Sequence, residues 1–325
     1  MDVSKISQYL ASINQPKYRI GQIVENYYSG KFNNFSDMTN ISKQLRQELE
    51  NRFVFLSVKQ DQISKSQNSI KARLVLVDSL KIETVLLKYK EWNTICVSTQ
   101  VGCAMGCKFC ATGWMGFKRN LTSEEIVDQL IYWKQQGYQV DRIVFMGMGE
   151  PFMNWNNTRQ AMEEINQKMI IGWRKMTVST VGIIEGIKQF TAWGKEVNLA
   201  ISLHSLDEQT RQKIMPITGQ NHLNDLLKTC RDYVEKSKRL LFFEYALMDG
   251  INDSETEAVR LAKFINSHRL FFTNIIKLNQ VKTSRVGPSK RVEQFCHILD
   301  QNKVKYSQRM SVGRQIEGAC GQLAS

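Results

Sequence analysis

The stretch "CVSTQVGCAMGCKFCATG", Cys96 to Gly113, holds four of the seven cysteines in a chain of 325 residues. Three of them, Cys103, Cys107 and Cys110, are spaced C-x3-C-x2-C, and Cys96 stands seven residues upstream in an apolar run that reads as a strand. A strand that hands over to a thiol-rich loop is the start of a chemical site, and its meaning depends on the elements downstream of it.

Downstream, the chain takes on a regular rhythm. Apolar strand candidates, "TICVSTQ" (94–100), "RIVFMGMG" (142–149), "KMTVST" (175–180), "VNLAISLHS" (197–205), "RLLFFEYALM" (239–248) and "TNIIKLNQV" (273–281), alternate with amphipathic helical stretches. One helix, "TSEEIVDQLIYWKQQG" (122–137), opens with a T-x-x-E capping box at Thr122 and Glu125 and closes at Gly137. Six βα units in succession predict an α/β domain with a parallel sheet. Periodicity leaves open whether that sheet is flat or curved into a partial barrel.

Upstream the character differs. Residues 1–52 read as short helices, among them "YRIGQIVENYYSG" (18–30), and form an expected N-terminal accessory module. Residues 53–92, with "FVFLSVKQ" (53–60), "IKARLVLV" (70–77) and "KIETVLLKY" (81–89), read as a small antiparallel β extension. The βα core is expected over 93–312 and a terminal loop over 313–325.

Composition narrows the class of protein. With 42% hydrophobic and 23% charged residues the chain has the make-up of a soluble globular protein. The first twenty residues lack a basic–apolar–small signal pattern, no run of ~18 apolar residues occurs, and an odd, clustered cysteine set argues against a secreted disulfide framework. The expectation is a cytoplasmic monomer. A net charge of +13, spread along the chain rather than held in one tail, suits a polyanionic partner; a merely solvated basic surface is the plainer alternative.

In parallel α/β folds, chemistry gathers at the C-terminal ends of strands. Those ends carry the cysteine loop, "MGMGEP" (146–151) with Gly149 and Glu150, Ser179, Ser202 with Leu203 and His204, and Asn279. Taken singly, Gly149 is a turn glycine, Ser179 a helix cap and His204 a core histidine; together they define one rim. A structural zinc site wants four closed ligands, commonly two separated C-x2-C pairs. Three thiols in one loop at the mouth of a βα unit instead suit an iron–sulfur cluster with one open iron.

The loop motif at the first strand end resembles that of the radical S-adenosylmethionine (SAM) superfamily. The fuller set, "ETV" (83–85), the cysteine loop, "FMGMGEP" (145–151), "VSTVGII" (178–184), "ISLH" (201–204) and "ACGQL" (319–323), is similar to the RlmN/Cfr family of RNA adenine methyltransferases over nearly the whole chain. The resemblance implies a partial (βα)6 TIM-like barrel. It also implies a [4Fe-4S] cluster on Cys103, Cys107 and Cys110, and SAM held by Gly149, Glu150, Ser179, Ser202, Leu203, His204 and Asn279, with Phe109 near its adenine. Cys320 would carry a methyl group as S-methylcysteine, Cys96 would resolve the protein–RNA adduct through a transient disulfide with Cys320, and Glu83 would accept the ring proton. Thiolate attack on an activated sulfur is ordinary exchange chemistry.

The implied partners are 23S rRNA, a tRNA as second substrate, and an electron donor such as flavodoxin or ferredoxin. The implied product is 2-methyladenosine rather than 8-methyladenosine. The chain departs from the family pattern at Gln280 and in "RQIEGACGQL" (314–323). A radical SAM enzyme acting on a non-RNA substrate and a non-catalytic, metal-stabilised RNA-binding protein are the competing readings. Cys230 and Cys296, in helical patterns, read as packing residues, and Cys96, without the resemblance, as a buried inert thiol.

Overall fold

The computed structural model describes residues 1–281, 284, 286–309 and 312–324. Three helices, α1 (Val3–Ser12), α2 (Tyr18–Ser29) and α3 (Lys43–Arg52), lead into an antiparallel meander of β1 (Val58–Lys65), β2 (Ser69–Leu76) and β3 (Lys81–Lys88). Strand β4 (Asn93–Cys96) comes after it. Next are a small hairpin of β5 (Gln100–Gly102) and β6 (Phe117–Asn120), with the short helix α4 (Ala111–Trp114) between them, and then α5 (Ser123–Gln135). The remainder alternates: β7 (Arg142–Phe145), α6 (Trp155–Lys168), β8 (Met176–Thr180), α7 (Ile184–Trp193), β9 (Asn198–Ser202), α8 (Glu208–Ile214), α9 (Leu223–Ser237), β10 (Leu241–Leu247), α10 (Glu255–Asn266), β11 (Phe271–Lys277), α11 (Val292–Gln301) and β12 (Tyr306–Arg309).

Strands β4, β7, β8, β9, β10 and β11 lie side by side in chain order, every pair parallel. A doubly wound sheet reverses its strand order at a switch point; one laid down in a single direction is the wall of a βα barrel. The curvature shows in the side chains. Cys96, Val144, Ser179, Ser202, Glu244 and Ile276, one from each of these six strands, line the same cavity, which a flat sheet does not allow. The barrel is partial: β12 extends it in parallel beyond β11, and β3 pairs antiparallel with β4 at the other end. The β extension is thus continuous with the barrel wall.

Two segments differ from the reading of the sequence. The first strand begins at Val58 rather than Phe53, because the preceding residues are used for docking. Phe55 packs edge-on against Tyr27 and Phe35, and the Ser57 amide and hydroxyl both donate to Asp128 Oδ2 at 2.6 Å. The run 94–100 breaks after Cys96, where the amides of Val97 and Thr99 are taken by the carbonyls of Val144 and Met148. Strand β12, polar and half exposed, carried no apolar alternation to announce it.

Helix α5 binds the pieces together. Its capping box forms as expected, with the Glu125 amide donating to Thr122 Oγ1 at 3.2 Å and the Thr122 amide to Glu125 Oε2 at 3.0 Å. Ten of its thirteen residues are buried, Trp133 completely, so it is covered on more than one side. The helical module supplies part of that cover: the Tyr27 hydroxyl donates to Asp128, Lys134 Nζ to the Tyr28 carbonyl, and Gln135 to the Phe32 carbonyl at 2.8 Å.

Candidate active site

The barrel encloses a cavity with about 1570 Å³ of non-protein space, part of it open to solvent. Its wall includes the expected ligands Cys103, Cys107 and Cys110, together with Phe109. From the strand ends it includes Gly149, Glu150, Ser179, Ser202, His204 and Asn279. Cys96 and Cys320 also line it, although more than two hundred residues separate them in the chain.

Each group is held by identifiable contacts. Gly149 has φ +102°, and a Cβ there would come within 2.6 Å of Gln100 Cβ, so the glycine is needed for the strand end to turn against β5. Glu150 is buried. Its carboxylate accepts from the amides of Val181 (2.9 Å) and Phe152 (3.1 Å), while burial nevertheless raises its pKa to about 7. His204 sits at φ 53°, a left-handed conformation uncommon outside glycine. Its Nδ1 accepts from the Ala246 amide at 3.0 Å, which puts the ring proton on Nε2. Burial lowers its pKa to about 3, so the ring is neutral, and it meets Phe109 edge to face at 4.8 Å. His204 is therefore both a satisfied buried histidine and a cavity wall.

Leu203 is fully buried and does not line the cavity through its side chain. Its carbonyl accepts from Arg211 Nε at 3.1 Å, and the same guanidinium reaches the carbonyls of Ser202 and Val181. Arg211, which sequence reasoning missed, thus ties together two of the strand ends that form the rim. Its burial pulls its pKa down to about 10.

The three loop cysteines carry an all-thiol donor set. Among the described residues no group of three or more His, Cys, Asp or Glu side chains is gathered closely enough to hold a single metal ion, the three loop cysteines included. All three line the cavity, burial pushes Cys103 up to about 12 and raises Cys107 well above the usual thiol value, and Arg211 lies within electrostatic reach of Cys107, its Nη1 buried without a hydrogen-bond partner. A three-thiol donor set on a cavity wall, with a cation within reach, fits an anionic iron–sulfur cluster.

The terminal loop closes the cavity. The Ala111 amide donates to the Gly321 carbonyl at 2.7 Å and Thr112 Oγ1 to the Leu323 carbonyl at 2.7 Å, docking the loop on α4. Gly321, at φ +83°, brings its backbone close to the Phe109 carbonyl. The Asn279 amide donates to the Cys320 carbonyl at 3.0 Å and its Oδ1 accepts from Arg314 at 2.8 Å. Asn279, expected as a SAM contact, thus spends both polar atoms on this loop.

Cys96 and Cys320 are free thiols, so the expected disulfide is absent from this state. They are close enough to interact electrostatically. Burial pushes Cys96 up to about 12, with Cys320 adding to the shift. Cys320 itself is exposed on the loop, so the raising effect of its surroundings, opposed by Arg309, is the weaker of the two. Arg309, from β12, faces both thiols and pairs with Glu244 at 3.3 Å. Neither charge figured in the sequence reading. Glu244 was detectable as the lone charge in the apolar strand "LFFEYAL", in register with Ser202.

Glu83 lies on the same face of β3 as Leu87, which lines the cavity, but two residues beyond Val85 and outside the lining. It is buried, its Oε1 is 3.1 Å from Lys71 Nζ, and its Oε2 accepts from the Ala324 amide at 2.9 Å. The carboxylate is thus seated under the terminal loop.

Residues 97–262 match the family model of the radical SAM superfamily, and residues 1–55 match the ribosomal RNA large subunit methyltransferase N-terminal domain. A probable dual-specificity RNA methyltransferase RlmN from Carboxydothermus hydrogenoformans is 38% identical over 99% of this chain and 96% of its own length. One from Clostridioides difficile is 39% identical over 98% and 94%. The crystal structure of a radical SAM methyltransferase from Sphaerobacter thermophilus superposes with a TM-score of 0.94 at 35% identity, covering 99% of this chain and 97% of that one. With the barrel, the thiol loop and the terminal cysteine in place, the chain belongs to the RlmN family of radical SAM RNA methyltransferases.

Proposed function

We propose that this enzyme methylates the C2 carbon of an adenosine in large-subunit ribosomal RNA, with a tRNA adenosine as second substrate. The second substrate accords with the dual specificity named for its relatives. The observation that carries the reading is the meeting of Cys96 and Cys320 on the wall that also holds the three loop cysteines. A radical SAM enzyme performing simple hydrogen abstraction needs neither additional thiol. Ring carbons of adenine are electron-poor and do not attack SAM, so a carrier of the methyl group is required.

In this reading Cys103, Cys107 and Cys110 hold a [4Fe-4S] cluster, which when bound supplies the electron for reductive cleavage of SAM. Gly149, Glu150, Ser179, Ser202, Leu203, His204 and Asn279 form the SAM-facing rim, with Leu203 acting through its backbone. Glu150 presents a carboxylate to a cationic amino group, and the neutral His204 offers a hydrogen-bond donor. Cys320 accepts a methyl group as a thioether and presents it to the base. The Cys320 methyl gives up a hydrogen atom to the radical derived from a second SAM, and its carbon bonds to the adenine ring carbon, which loses its proton and one electron. The Cys96 thiolate then attacks the Cys320 sulfur, the bond from that sulfur to the transferred carbon breaks with its electron pair going to carbon, that carbon takes up a proton to become the methyl group, and a Cys96–Cys320 disulfide forms. Glu83 accepts the ring proton once the terminal segment releases its Oε2. An electron carrier such as flavodoxin or ferredoxin supplies the electrons, and the enzyme works in the cytoplasm as a monomer. No helix among the described residues is long and apolar enough to cross a membrane.

The test is nucleoside mass spectrometry of ribosomal and transfer RNA incubated with anaerobically reconstituted enzyme, SAM and a reductant. A 2-methyladenosine peak supports the proposal, and 8-methyladenosine moves the chemistry to the other carbon. No methylated adenosine, with 5′-deoxyadenosine still released, overturns the RNA adenine assignment.

A further inference from the structure

Several large apolar side chains are exposed on this protein, and of those among the described residues Tyr89 also lines the central cavity. It is 43% exposed, at the hairpin between β3 and β4. Trp92 stacks on it with ring centroids 5.6 Å apart and planes at 28°, and the Arg142 guanidinium lies 4.0 Å from the Trp92 centroid. The hairpin beneath is closed by the Tyr89 amide on the Trp92 carbonyl at 2.9 Å and fastened to the β7 side by the Asn93 amide on Asp141 at 2.8 Å. A large aromatic ring is thus braced from one side and left open to the cavity. Arg309 lies within electrostatic reach of both Tyr89 and Cys320, which places ring and methyl-carrier thiol around the same cation.

We propose that Tyr89, braced by Trp92 and Arg142, is the stacking platform on which the target adenine rests while its ring edge meets Cys320. This rests on the reading of the enzyme as an RNA adenine methyltransferase. A base undergoing chemistry at a ring carbon leaves its stack, and the lost stacking is restored by an aromatic side chain in the pocket. Tyr89 is a positioning residue in this account; the ring face is what it contributes, so phenylalanine serves equally.

The experiment measures binding of a large-subunit rRNA fragment, spanning the adenosine that product mapping identifies, to cluster-reconstituted wild-type, Tyr89→Leu and Tyr89→Phe enzymes. The same fragment with an abasic site at that adenosine is measured alongside. Loss of one base–aromatic stack weakens binding about ten-fold. The expected result is a loss of that size for Tyr89→Leu on intact RNA, little change for Tyr89→Phe, and equal binding of abasic RNA by all three. Iron content and the far-UV circular dichroism spectrum stay at wild-type levels, which shows that the variants fold and take up iron. Equal weakening of intact and abasic RNA by Tyr89→Leu, or no weakening of either, overturns the stacking role while wild-type methylation still stands. Wild-type enzyme that methylates no adenosine overturns the underlying reading and the platform with it.

Discussion

Cys96 sits in β4 with its carbonyl accepting from Thr84 Oγ1 at 2.8 Å, lines the same cavity as Cys320 and lies within its electrostatic reach. If it resolves the adduct, Cys96→Ala leaves RNA covalently attached through Cys320. A band of protein-linked RNA on a denaturing gel, lost on nuclease digestion, is the expected outcome, and normal turnover with free RNA would reduce Cys96 to a packing residue. Cys230 and Cys296 are buried in helices away from the cavity, in keeping with a packing role. His204 makes a separate prediction. Its folded pKa, near 3, lies below the unfolded value of 6.5, so below pH 6.5 the unfolded chain binds the extra proton. The stability that neutral His204 contributes is complete above pH 6.5 and is lost as pH falls toward 3. In urea titrations, His204→Asn should therefore flatten the acid-side decline in stability relative to wild type; identical slopes would show that the ring is not held neutral.

At the scale of elements, the terminal loop is the piece that converts a barrel into this site. Asn279, beyond the end of β11, holds the loop through the Cys320 carbonyl and Arg314. Two hydrogen bonds of this kind contribute about 1–3 kcal/mol together. Asn279→Ala should raise amide exchange across residues 314–323 by roughly ten-fold, with smaller effects in α5. Unchanged exchange in that loop would mean that Ala111 and Thr112 hold it unaided. This contact also shows where spacing arguments stop. The position of Asn279 at a strand end was legible in the chain, whereas its partner was not, because the loop returns from forty residues downstream.

For the whole molecule, Asp128 is the joint between the helical module and the barrel. It is buried on α5 and receives Tyr27 from α2 and both donors of Ser57. Asp128→Ala leaves those donors buried without an acceptor and should cost about 3 kcal/mol or more in stability, read as a lowered urea midpoint. A loss below about 0.5 kcal/mol would show that the module docks without need of the Asp128 contacts. The basic surface acts at the same scale. With a net charge of +13, RNA affinity should fall steeply with salt, the slope of log K against log salt being roughly −0.7 per phosphate neutralised on single strands. A flat dependence would separate the charge from RNA binding.

Local order in this chain was legible because it depends on neighbours in sequence. The T-x-x-E box caps α5, the antiparallel meander tracks apolar runs, six strands alternate with helices, and the C-x3-C-x2-C loop comes after the first of them. The polar residues of the rim were legible too, since in parallel sheets function collects at strand ends. The position of β12, the Arg309–Glu244 pair, the Arg211 tie and the opening of Tyr89 onto the cavity were not, because each depends on which strands lie side by side and how the sheet curves. That curvature decides which inward side chains from distant strands share one cavity. It brings the terminal cysteine beside Cys96, and no local pattern encodes a contact that closes across more than two hundred residues.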